Sequence, residues 1–331
     1  MNEKRTIQRI SLPSPDAFFA DHLRPAQPVL IHDLFAGDSI REIHTADQAR
    51  EAWGNETFRI RPEYVQRFMA DRGVADRPAA PTQKLSLSEY FDFTKSVPDT
   101  NLLCTEEPVP HEIRQTFHLP EAVQSSLDPP ITQLFVGKRG NHAHLHFDGD
   151  CRHGLLYQVY GRKRVLLVPA HMQPRMMPLG LISGWFVNRL SASERRALTD
   201  FLQGTWVTIE PGEALLIPAF TSHFVEYLDD AMSISLDFGR NPLTLRLHDE
   251  FPHTRHLQLA GCRLLDPDLT ERRHPGFERE LDALCVSLPR DPSVRRESLK
   301  RLASRLHGEA TESTQLEELF LASQRDRVTD P

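Results

Sequence analysis

The 331-residue chain has too little cysteine, too widely spaced, to be held by disulfides. Its four cysteines, Cys104, Cys151, Cys262 and Cys285, include no Cys-x-x-Cys pair. That usage fits free thiols in a reducing cytoplasm and argues against a cross-linked secreted scaffold. No stretch of 18 apolar residues occurs, so a membrane-spanning helix is not expected. The start, Met1 to Arg5, has no apolar signal region, and the expected location is cytoplasmic. Charge of one sign is also missing: 39 Lys and Arg against 46 Asp and Glu leave a net charge of -7. Such a balance gives no footprint for a polyanion and excludes nucleic acid as the expected direct partner. Basic residues gather only at Glu271-Arg272-Arg273-His274 and Arg295-Arg296, interleaved with acids, as on a solvated helix face. There is no internal repeat and no low-complexity tract.

What is present is a series of short β-rich runs with Gly and Pro between them. Ile131 to Gly137 is an apolar run stopped by glycine. Leu155 to Val168 reads as two strands joined at Gly161, and Thr205 to Pro218 as strand, Pro211-Gly212 turn, strand. His223 to Leu228 and Met232 to Phe238 follow. Many short strands with this punctuation predict a β-sandwich or small barrel.

Three residues on this frame carry chemistry. His146-Phe147-Asp148 places an imidazole and a carboxylate two residues apart, on one face of an extended chain. His223, from a distant strand, completes two histidines and one carboxylate, a set that leaves positions of an Fe(II) ion open for a cosubstrate and O₂. His142 and His144 extend the row, and with His146, Asp148 and Asp150 they put five metal-capable residues on one face of a straight strand. Zinc or nickel suits such a row as well. Lys163 shares its strand face with the apolar Val165 and Leu167, while Arg162 and Arg164 face the other way. An inward lysine among apolar residues calls for an anionic partner. Asp150, Glu226 and Asp237 are candidates for the pocket mouth, with solvated surface charge the preferred reading of Glu226; if two of them line it, a substrate bearing a guanidinium or ammonium group is expected.

Residues 131–238 resemble the Jumonji-C, cupin-like family of Fe(II)/2-oxoglutarate-dependent oxygenases, most of all its asparaginyl-hydroxylase members. The blocks that match are Gly137 to Asn141, His146 to Asp148, Gln158 to Arg164, Val168-Pro169, Pro211 to Pro218, His223 and Ser233 to Phe238. The resemblance implies a mainly β fold, a double-stranded β-helix (cupin or jelly-roll) core with an N-terminal α/β extension and C-terminal helices. It implies His146, Asp148 and His223 as catalytic iron ligands, 2-oxoglutarate as cosubstrate and Lys163 as its far-carboxylate partner. The implied activity is hydroxylation of an unactivated C–H in a protein, peptide or amino-acid substrate. The chain also departs from the pattern. Ala143 stands where the family often has threonine, and no tyrosine occurs near Asn101-Leu102-Leu103. Tyr157, His142 or His144 are the candidate substitutes for cosubstrate binding, and Asp237 replaces an asparagine. A zinc or nickel cupin with hydrolase or isomerase activity, and a non-catalytic cupin binding module, are the competing readings.

Around this core, 131–242, the flanks divide into 1–130 and 243–331. In the N-terminal part Ser14 caps a helix bearing Phe18, Phe19 and Leu23; Val29 to Ile31 is a strand; and Ser86 with Glu89 forms a capping box. Arg72 to Pro81 reads as a surface loop. This region is expected to be continuous with the core. Beyond Pro242, Phe277, Leu281, Leu284 and Leu288 recur at helical spacing, and Leu299, Leu302 and Leu306 share a face. These helices either cover their own core or, as the resemblance implies, form a homodimer.

Overall fold

A computed structural model describes residues 6–23, 25–63, 81–124, 129–149, 152–176, 178–179 and 182–239. The C-terminal helices, the dimer they imply, most of the Arg72 to Pro81 loop, and Asp150 lie outside these residues.

Among the described residues fifteen strands form two sheets. The larger contains β1 (Gln8–Ile10), β2 (Val29–Ile31), β3 (Thr57–Pro62), β4 (Gln83–Ser86), β5 (Leu102–Pro108), β6 (Ile131–Gly137), β8 (His153–Tyr160), β13 (Ala214–Ile217) and β15 (Ala231–Phe238). Its order is β1-β2-β13-β8-β15-β6-β5-β3-β4. The smaller contains β7 (His142–His146), β9 (Lys163–Val168), β10 (Pro178–Leu179), β11 (Ile182–Ser183), β12 (Thr205–Ile209) and β14 (Ser222–Tyr227), ordered β10-β11-β7-β14-β9-β12. β6 to β9 and β12 to β15 alternate between two facing sheets that are antiparallel in every pairing but β1–β2, the double-stranded β-helix or jelly-roll core of a cupin, with β8 and β9 joined by a hairpin.

The runs read from the sequence become strands with little change at their ends. The turn between β8 and β9 rests on Gly161 at φ +66°, where an added Cβ would lie 2.1 Å from the Asp230 carbonyl oxygen. Only glycine fits so close an approach in the left-handed region. β2 pairs with both β1 and β13, and β5 pairs with β6, so strands from before residue 131 extend the same sheet.

The larger sheet is buried on both faces. Its outer face carries Val29, Ile31, Tyr157, Val159, Leu216 and Ile234, packed with Phe18, Phe35, Trp53 and Tyr90 from the N-terminal elements. Its inner face carries Leu30, Leu103, Leu156 and Leu215 against Val165, Leu167, Ile209 and Val225 of the smaller sheet. Strands buried on both sides read as continuous apolar runs, which is why β2 and β13 show no polar alternation. The outer helices begin where capping chemistry places them. Ser14 Oγ accepts from Ala17 N, and full capping boxes open Ala46–Trp53, Leu87–Ser96 and Ala192–Phe201. The first helix is shorter than expected: Pro15–Phe18 passes into a π-turn at Phe19–Leu23, with Phe18 buried and Phe19 59% exposed.

Candidate metal centre

His146 ends β7, and His223 lies directly opposite it on β14. Their ring centroids are 4.3 Å apart. Asp148 follows the end of β7 and turns back, with Oδ1 3.6 Å from His146 Nε2 and Oδ2 3.9 Å from His223 Nε2. One ligand atom from each residue lies within 4.8 Å of the others. Two backbone contacts orient the rings. Nδ1 of His146 donates to the His144 carbonyl at 2.5 Å, and Nδ1 of His223 donates to the Thr221 carbonyl at 3.2 Å. Each Nε2 lone pair is thereby turned toward Asp148, the arrangement that metal-bound histidines require of their outer nitrogen. Burial, and then the neighbouring His146 ring, holds His223 below the ordinary histidine range. Two imidazoles and one carboxylate fit a divalent transition metal.

The other histidines of the row are removed from the centre by a register shift. His142 pairs with Glu226 and Ala143 with Val225, yet His146 pairs with His223, so β7 carries an extra residue there. The strand is not straight, and the expectation of five ligands on one face fails for that reason. His142 stacks on Phe224 at 6.0 Å. His144 is 2% exposed, hydrogen-bonded through Nε2 to the Ser183 carbonyl at 2.7 Å, and lowered by burial to about 3. It is a neutral wall residue.

A cavity of about 300 Å³ opens beside the three ligands, between the two sheets. Lys163 projects into it from β9, 1% exposed, and forms no ion pair with any described residue. Its Nζ sits 4.2 Å over the Tyr227 ring and 5.5 Å from that of Phe135. Burial lowers its pKa to about 7. The neighbouring arginines point out of the barrel as alternation predicts: Arg162 pairs with Asp229 at 2.7 Å and Arg164 with Glu226 at 2.7 Å.

One assignment changes. Tyr157 does not line the cavity. It lies on the outer face of β8, in T-shaped contact with Phe35 at 4.6 Å, because Leu156 takes the inner face. The tyrosine against Lys163 is Tyr227 of β14, level with Lys163 in the strand register. Its signal was present in the sequence, since it stands four residues after His223 and shares its face. Glu226 faces outward, held by Arg164 and by Arg195 at 3.0 Å, as the preferred surface-charge reading has it, and not at the pocket mouth. Asp237 does line the cavity and accepts from Ser235 Oγ at 2.6 Å. Ala143 and Leu103 are in the wall where the resembled threonine and tyrosine would stand. Sequence reasoning missed Glu63, Thr105, Glu106, Gln133 and Ser235, which also line the cavity. Nothing in the local sequence marks them: four stand on strands, Glu106 at a bulge in β5, and Glu63 directly follows one.

Among the described residues no helix is long and apolar enough to cross a membrane. No curated protein matches the chain. The model of the cupin-like domain matches residues 15–239, which hold every strand of the two sheets except β1 and all three candidate metal ligands, and the chain belongs to that family.

Proposed function

We propose that the protein is an Fe(II)- and 2-oxoglutarate-dependent oxygenase that hydroxylates an unactivated C–H of a protein, peptide or amino-acid substrate. The observation that carries this reading is the pairing of the His146, Asp148 and His223 set with a buried lysine in one cavity. A hydrolytic metal centre has no evident use for a desolvated ammonium group on the same sheet. An α-keto diacid does: one end chelates a metal and the other presents a carboxylate. His223 and Tyr227 are separated by about 13 Å of strand, and Lys163 lies level with Tyr227. A five-carbon diacid and the four-carbon lysine stem together bridge that span.

His146, Asp148 and His223 would hold the ion on one face. Fe(II) there supplies the activation of O₂ that couples oxidation of 2-oxoglutarate to succinate and CO₂ with hydroxylation of the substrate. Lys163 binds the far carboxylate as a point charge with three donors. Tyr227 and Phe135 shield that contact from water and strengthen it. Phe147, fully buried between the two ligands of the tripeptide, fixes the end of β7 against the core. The likeness to asparaginyl hydroxylases covers the ligands and the lysine but not the wall at Ala143, Leu103 and Asp237, so asparagine is not singled out as the target.

The test is anaerobic titration of the full chain with Fe(II) and 2-oxoglutarate, followed by exposure to O₂ with succinate measured. Binding of both and release of succinate are expected. Tight binding of Zn(II) with no 2-oxoglutarate binding would replace this reading with the hydrolytic one.

A further inference from the structure

The bulge in β7 that sets the metal ligands is held from outside its own sheet. Between the pairs Ala143–Val225 and His146–His223, β7 has two residues, His144 and Leu145, where β14 has only Phe224. An extra residue of this kind disrupts the ladder, and buried backbone groups released from it need another partner. His144 shows where they go. Its amide N–H donates to Glu63 Oε1 at 2.9 Å, and its carbonyl accepts from Nδ1 of His146 at 2.5 Å. Its ring donates through Nε2 to the Ser183 carbonyl at 2.7 Å and lies 4.8 Å from the Phe186 ring.

Glu63 is the distant member of this set. It directly follows β3, is 6% exposed and lines the cavity. Pairing of Pro62 with Leu102 seats the end of β3 beside β5. Residue 63 thereby reaches an amide 81 positions later in the chain. A carboxylate accepting a buried backbone N–H is a charge-assisted bond, among the stronger ones. It fixes the peptide between Ala143 and His144, while Ser183 fixes the imidazole carried by the same Cα. Held at both points, His144 has little freedom in where it presents its carbonyl. That carbonyl in turn holds the His146 ring with Nε2 facing the metal position.

We infer that Glu63 is a positioning residue of the metal centre: it accepts from the His144 amide, holds the β7 bulge, and through the His144 carbonyl sets the orientation of His146. This rests on the reading of His146, Asp148 and His223 as metal ligands, and not on the identity of the metal or on 2-oxoglutarate. It gives the strands that precede the core a part in the centre as well as in the sheet.

The test is anaerobic titration of the full chain with Co(II), whose absorption bands report ligand geometry, with 2-oxoglutarate left out. Glu63→Gln keeps an oxygen acceptor at the same reach, Glu63→Met keeps the length without the acceptor, and Glu63→Asp withdraws the acceptor by one methylene. Loss of a direct outer partner of a metal-bound histidine typically costs about 10–100-fold in metal affinity. Glu63 acts one contact further out, so Glu63→Met should weaken Co(II) binding roughly three- to tenfold and alter the bands of the bound ion. Glu63→Asp should do the same to a smaller degree, and Glu63→Gln should stay within about twofold of wild type with unaltered bands. Circular dichroism verifies the fold of each variant. If Glu63→Met does not fold, the comparison of Glu63→Asp with Glu63→Gln decides; if neither Glu63→Met nor Glu63→Asp folds, Glu63 serves the fold and the inference falls. Wild-type affinity in Glu63→Met and Glu63→Asp, or weaker binding with unaltered bands, would overturn it. So would a Glu63→Gln variant as weak as Glu63→Met, because charge and not acceptance from the amide would then be at work. Failure of the wild type to bind Co(II) is a separate result and overturns the metal-centre reading instead.

Discussion

At the residue scale, the centre depends on three side chains that the fold does not need. His146 and Asp148 lie at a strand end with side chains 24% and 48% exposed, and His223 faces the cavity. His146→Ala, Asp148→Ala and His223→Ala should each abolish metal binding and turnover while thermal unfolding changes little. Full turnover by Asp148→Ala would remove that residue from the centre. Lys163 is testable through pH as well as by deletion. A charge-assisted contact to a buried carboxylate is worth about 1.5–3 kcal/mol, so Lys163→Met should weaken 2-oxoglutarate binding at least tenfold and Fe(II) binding far less. The lysine has a depressed pKa, about 7 against 10.5 for the free side chain. Between those values the unfolded chain binds the extra proton, so this group's destabilising contribution is complete below pH 7 and fades as pH rises toward 10.5. Without ligand, the stability difference between wild type and Lys163→Met should therefore narrow from pH 7 to pH 9. Affinity for 2-oxoglutarate should fall over the same range, because the diacid needs the protonated amine. A pH-independent difference in both measurements would place the charge elsewhere.

At the element scale, turn geometry and register do the positioning. Gly161 joins β8 to β9 and sets Lys163 two residues later on the inner face. Gly161→Ala meets both the left-handed backbone and the Asp230 carbonyl, and should cost about 1–3 kcal/mol in urea unfolding. Gly154→Ala, whose methyl group meets only ordinary contacts, should be far milder. A wild-type midpoint for Gly161→Ala would refute the account of that turn. The extra residue in β7 is the other device. It brings Ala143 and His146 to the cavity together and leaves His142 on the opposite side. Strict alternation in a paired strand cannot anticipate this, because a bulge is a property of two strands in contact.

At the scale of the whole molecule, the larger sheet is shared between two cores. One lies between the sheets and holds the cavity, and the other lies under the N-terminal helices. Residues 277 to 306 carry leucines at helical spacing, and we propose that they pack against a second copy as a twofold dimer. Light scattering at low micromolar concentration should give twice the chain mass, and a clean monomer would return those leucines to an intramolecular role.

The sequence by itself determined the strands, their turns and the three candidate ligands that the fold brings together. Gly and Pro mark chain reversals locally, and the two-residue spacing of His146 and Asp148 is a local fact. It also placed Lys163 inward and both flanking arginines outward, because alternation on β9 contrasts charge with apolar residues. Only the tertiary structure excluded Tyr157 from the cavity. β8 is apolar on both faces, so its sequence holds no contrast to say which face meets the cavity. A different cause hid Glu63 and Glu106, which line the cavity beside Asp237, a residue already read as part of the pocket. Those residues are far apart along the chain and come together only when β3, β5 and β15 are folded into one sheet facing the metal ligands.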